Sequence, residues 1–165
     1  MAEAARMSVE LQESINRTYA KAFQIRPKNT QRAYNSRQRE FLDWCAAKGP
    51  AFSNLTRTTV TDEKLHLFLE ECVIGRSKRH KNENGCLSTE RQSTIGRFTV
   101  SSYFVAMVDL WKKQVQPNIN SNPSPRNEAV KALLKVTEYE EDERKRKVFE
   151  DRGVDTMLDG YTTTD

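Results

Sequence analysis

Apolar residues recur at steps of three and four in five stretches of this chain, divided by segments rich in proline, glycine, serine or asparagine. That spacing places side chains on one face of an α-helix. Residues 8–24, with Leu11, Ile15, Tyr19, Ala22 and Phe23 in phase, predict a first helix that follows a flexible N-terminus, residues 1–7. Ile25-Arg26-Pro27 ends it, because the residue before a proline is driven out of helical geometry. A second helix runs from Asn29 to Gly49, with Asn29 or Thr30 as its N-cap and Gly49-Pro50 as its stop. Around Phe41, at about 100° per residue, Tyr34, Gln38, Trp44, Cys45 and Lys48 fall on the buried side. Arg32, Ser36, Arg39 and Asp43 fall on the opposite side, so this helix pairs an apolar face with a basic stripe.

After a polar loop over residues 50–61, Thr61-Asp62-Glu63 opens a third helix with Leu65, Phe68, Leu69, Cys72 and Val73 inside, ending near Gly75. Residues 76–93 have no apolar period and read as an exposed basic loop. A fourth helix begins at Thr94 or Arg97 and reaches Gln116. Its stripe is Val100, Phe104, Met107, Val108, Trp111 and Val115, with Thr99, Ser102, Ala106 and Lys113 on the far side. Three prolines within residues 117–125 mark a linker, and a fifth, charged helix over residues 126–150 starts with Pro125 at its first turn. Val130, Leu133, Leu134 and Thr137 give that helix its period before Glu141 with Lys145, and Glu143 with Lys147, form pairs suited to a protruding solvated rod. Residues 151–165 read as an irregular or strand-like extension leading out of the domain. Four or five amphipathic helices and no strand pattern in the core predict an all-α fold, a compact bundle.

Charge sharpens the picture. Across residues 26–113, 16 Lys and Arg stand against 9 Asp and Glu, whereas residues 114–165 hold 8 against 11. A basic compact region beside an acidic tail is the footprint expected for a polyanionic partner, nucleic acid before membrane. No window approaches the run of about 18 apolar residues that a membrane span requires, and the first residues lack the order of a signal peptide. Cys45, Cys72 and Cys86 are odd in number and unpaired in spacing, which argues for a reducing compartment rather than a disulfide framework.

The motifs NTQRAYNSRQREFLDWCAAKG, VTDEKLHLFLEECV and TIGRFTVSSYFVAMVDLWKKQ together resemble the N-terminal core-binding (SAM-like) domain of tyrosine recombinases. NPSPRNEAVKALLK and DRGVDTMLDGYT look like the fungal branch, the Crypton-type recombinases and related centromere-binding proteins. The resemblance implies a domain that packs on one side of duplex DNA, nuclear, with strand cutting and rejoining done by a separate C-terminal domain that would lie past Asp165. Helices two and four face DNA in that family, which maps onto Arg32, Ser36 and Arg39 and onto Thr99, Ser102 and Lys113. Lys28, Thr30 and Arg97 adjoin these faces, and Arg76, Lys78, Arg79 and Lys81 suit a DNA-backbone clamp, a nuclear localisation signal or a solubilising loop.

Other chemistry has little footing. Cys72, His80 and Cys86, with His66 nearby, lack CxxC or HxxxH spacing, and there is no GxxxxGK[ST], GxGxxG or GxSxG, so no metal, cofactor or catalytic residue is expected. The expected function is non-catalytic binding of double-stranded DNA. The alternatives are a protein-interaction or self-association domain working through residues 126–150, and a fragment of an active recombinase.

Overall fold

The computed structural model describes residues 2–78 and 94–158, with side chains for residues 3–78 and 94–149. It is all-helical. The helices are α1 (Ala2–Gln24), α2 (Lys28–Lys48), α3 (Asp62–Phe68), α4 (Arg97–Val115) and α5 (Glu128–Leu158). A short 3-10 turn, Gly49–Ala51, follows α2, and a π-helical turn, Leu69–Val73, continues α3.

The core is closed by α2, α3 and its π turn, α4 and the first half of α5. Phe41, Phe68, Leu65, Leu69, Val73, Val100, Met107 and Val130 are all essentially removed from water. Aromatic rings knit α2 to α3: Phe68 meets Phe41 edge-on at 5.3 Å between centroids and Trp44 at 5.6 Å, the offset geometry that ring quadrupoles favour. Trp44 and Tyr34 therefore serve packing, as their phase with Phe41 foretold.

Helix α4 is the central element, and its far side is not free. Ala106, expected to face outward, is fully buried, because α2 lies against that side and Gln38 Nε2 donates to the Ala106 carbonyl at 2.9 Å. Buried Gln114 carries the loop before α3: its Oε1 accepts from Val60 N–H at 2.8 Å, and its Nε2 donates to Thr58 O at 2.7 Å. The 117–125 segment is a packed connection rather than a loose linker, since Asn120 and Pro125 are buried and Asn120 Nδ2 donates to Val60 O.

Several boundaries differ from the sequence expectation. Helix α1 starts at Ala2, inside the stretch read as flexible, and Leu11 and Ile15 are 59% and 44% exposed rather than in the core. An apolar stripe specifies a face but not a partner, and the other helices close the core without this one. Helix α2 begins at Lys28 after Pro27, with no side-chain cap from Asn29 or Thr30. It does end at Gly49, whose φ of 53° suits a residue without Cβ. Thr61 caps α3 as expected, its hydroxyl accepting from Lys64 N–H at 3.2 Å. For α5 the start moves from Pro125 to Glu128, where the Asn127 side chain accepts from Val130 N–H at 2.9 Å. The same helix runs on through Leu158, so residues 151–158 are helical rather than irregular. Residues 159–165 lie outside the described residues.

Candidate nucleic-acid interface

The exposed face of α2 is built by the burial of the other. Once Phe41, Trp44 and Cys45 turn inward, helical geometry forces Lys28, Arg32, Ser36 and Arg39 outward, and all four are exposed. Eleven residues separate Lys28 from Arg39, a span of about 16 Å at 1.5 Å per residue, or about five base-pair steps. Lys28, Arg32 and Arg39 have no ion-pair or hydrogen-bond partner among the described residues. Their helix also begins with no acidic residue in its first turn. Cations at a positive helix end repel the macrodipole, and like charges on one helix row repel one another by a few tenths of a kcal/mol. Exposed Asp43, four residues beyond Arg39, offsets part of that repulsion, and an anion laid along the Lys28–Arg32 end would relieve the rest.

Several of the other expected contact residues are engaged within the fold. Arg97 pairs with Glu138 at 2.6 Å and with Asp142 at 3.6 Å, so it fastens α5 to the start of α4. Lys113 bonds Asp109 at 3.0 Å and Gln38 at 3.3 Å between α2 and α4, which corrects its expected outward position. Thr99 and Ser102 are half-buried on the side of α4 that packs on α2, and the Ser102 hydroxyl donates to the Phe98 and Thr99 carbonyls. Thr30 is half-buried on the Phe41 side of α2 and does not join the stripe.

The basic segment after α3 divides. Arg76 is fixed: it pairs with Glu40 at 3.0 Å and donates to the Tyr103 hydroxyl at 2.6 Å. Lys78, two residues on, is exposed. Arg79 and Lys81 lie outside the described residues, as do His80 and Cys86.

Arg37 escaped the sequence reading because its phase lies close to that of Phe41. Its guanidinium covers the Tyr103 ring at 5.3 Å, as does that of Arg76, and it donates to Ala33 O at 3.0 Å. Tyr103 is buried, and burial, the largest influence, holds its hydroxyl above its ordinary pKa; hydrogen bonds to Glu40 add to that while Arg76 opposes it. A raised pKa is the reverse of what an attacking tyrosinate needs. The Cys45 thiol is likewise pushed up to about 11 by burial. No group of three or more His, Cys, Asp or Glu able to hold a metal occurs among the described residues, and none of their helices is long and apolar enough to cross a membrane.

Compared with family models, with curated proteins and with solved structures, the chain matches none.

Proposed function

We propose that this chain binds double-stranded DNA, with the outer face of α2 lying along the phosphate backbone and exposed Lys78 adding a further contact. The observation that carries the reading is the row of Lys28, Arg32 and Arg39, exposed, on one face of one helix and without partners among the described residues. The chain acts by binding and does no chemistry, as a recombinase-like core-binding domain would in a nucleus. Phosphate contacts position and do not specify, so discrimination between sequences by this surface alone is modest.

The test is fluorescence anisotropy of the protein with a mixed-sequence duplex of about 30 base pairs, a length well beyond the span of the stripe. Four phosphate contacts give a log–log salt slope of about −3 to −4. Arg32→Ala with Arg39→Ala lowers that slope by about 2 and leaves the melting temperature unchanged, because neither side chain packs. Absence of binding at low salt overturns the reading, as does binding that the double variant leaves intact.

A further inference from the structure

Helix α2 carries one cation that neither the core nor the outer stripe accounts for. Arg37 falls about 40° from Phe41 on a helical wheel, on the flank that also holds Ala33 and Glu40 and leads on to Ser36 of the stripe. It is half-buried, and its guanidinium lies 5.3 Å from the centre of the Tyr103 ring. Its Nη1 donates to Ala33 O at 3.0 Å, one turn back, which draws the head over the Ala33 turn. Its Nε is buried with no hydrogen-bond partner among the described residues.

The acid that would ordinarily answer this charge is spent elsewhere. Glu40 stands three residues on, at a spacing where an arginine and a glutamate of one helix can pair. Its carboxylate instead accepts from Arg76 Nη1 at 3.0 Å and faces the Tyr103 hydroxyl, 2.8 Å from Oε2 and 2.9 Å from Oε1. Arg76 Nη2 donates to the same hydroxyl at 2.6 Å. Two guanidiniums therefore share one tyrosine ring and a single carboxylate, and that carboxylate belongs to Arg76. A ring face holds a cation without neutralising it, so Arg37 keeps its whole charge while partly withdrawn from water. Guanidinium charge is delocalised over all its nitrogens, so an anion brought to the Nη edge answers the charge of the entire head.

The geometry points to a phosphate-binding site at Arg37. The phosphate takes the Nη edge of a guanidinium that the Tyr103 ring and the Ala33 carbonyl hold in one orientation. Arg76 acts at one remove, by keeping Glu40 off Arg37. A guanidinium fixed in this way suits a pair of phosphate oxygens and gives up little side-chain freedom on binding. For the source of the phosphate the inference rests on the DNA reading, as a backbone group beside those met by the α2 row. The site itself stands without that reading, since a small phosphate ligand offers the same chemistry.

The experiment is nitrogen–proton NMR of the arginine Nε–H groups in the whole protein, with Arg37 assigned by the signal that Arg37→Lys removes. Two additions are made separately: pyrophosphate to about 10 mM, which reaches weak affinities, and the same mixed-sequence duplex. Both should shift the Arg37 signal and leave that of Arg97, already paired with Glu138 and Asp142, in place. A shift with pyrophosphate alone supports the site and makes its ligand a small phosphate, so failure of the DNA reading is seen apart from failure of the site. With the duplex, Arg37→Gln lowers the log–log salt slope by about 1. Arg37→Lys keeps the slope but loses about fivefold in affinity, because an ammonium cannot present paired donors. A packing role alone would move the melting temperature and not the slope. A signal that neither addition moves overturns the proposal, and a slope unchanged in Arg37→Gln overturns the backbone as its source.

Discussion

The Asp109 carboxylate is 4% exposed and holds three donors: Arg26 at 2.6 Å, Gln38 at 2.9 Å and Lys113 at 3.0 Å. One residue thereby joins the α1–α2 turn, α2 and α4. Burial raises its pKa most, but the hydrogen bonds from Arg26, Gln38 and Lys113 together outweigh burial and hold it below the ordinary value. A depressed folded-state pKa means stability that is present above the unfolded pKa of about 3.9 and lost as pH falls through the folded one. Asp109→Asn should cost about 2–3 kcal/mol at neutral pH. That is less than a fully buried broken pair, because Arg26 and Lys113 can partly rehydrate. Urea unfolding from pH 6 down to 2 checks both parts, since the variant should lose less stability over the acid limb than the parent protein.

At the scale of elements, α4 and α5 depend on each other. Gly96, before the first turn of α4, brings no side-chain cap, and the Glu141 carboxylate of α5 accepts from Arg97 N–H in its place. The Lys145 hydrogen bond and this backbone contact hold the Glu141 carboxyl below its usual range. A Cβ on Gly96 would stand 3.3 Å from Glu141 Oε1, a tight contact that the carboxylate would have to ease by a few tenths of an ångström. Glu141→Ala should therefore cost about 1 kcal/mol, the usual loss of a helix cap. The opening amides of α4 should become the first in that helix to exchange with solvent, read by hydrogen exchange. The sequence marked Glu141 and Lys145 as a solvated pair, and they do pair at 2.7 Å. That Glu141 also caps a helix 44 residues earlier in the chain follows from packing, which no local spacing encodes.

For the whole molecule, the cooperative unit is the assembly of α2 to α5, and α1 is an arm on it. Deleting residues 1–15 removes Met7, Leu11 and Ile15 but no core side chain. The melting temperature should therefore fall by no more than about 2 °C, since a substantial loss of packing in a domain of this size shifts it further. The same deletion should leave salt-dependent DNA binding in place, since the α2 stripe lies outside it. Thermal melting and anisotropy on the shortened chain give both readings.

Periodicity alone determined that this chain is helical, where most helices lie, and that α2 carries Phe41, Trp44 and Cys45 on one side and Arg32, Ser36 and Arg39 on the other. These follow from 3.6 residues per turn and the burial of apolar surface, which act within one element. The tertiary structure decided which polar residues are spent and which apolar ones are left over. Lys113 and Arg97 looked as available as Arg39 until Asp109 and Glu138 came within 3.0 Å and 2.6 Å of them. Leu11 and Ile15 looked as buried as Leu65 until the other helices closed without them. A helix pattern states a preference for burial or for a counter-charge. Which preference is met depends on residues tens of positions away, and only the packed chain brings these together.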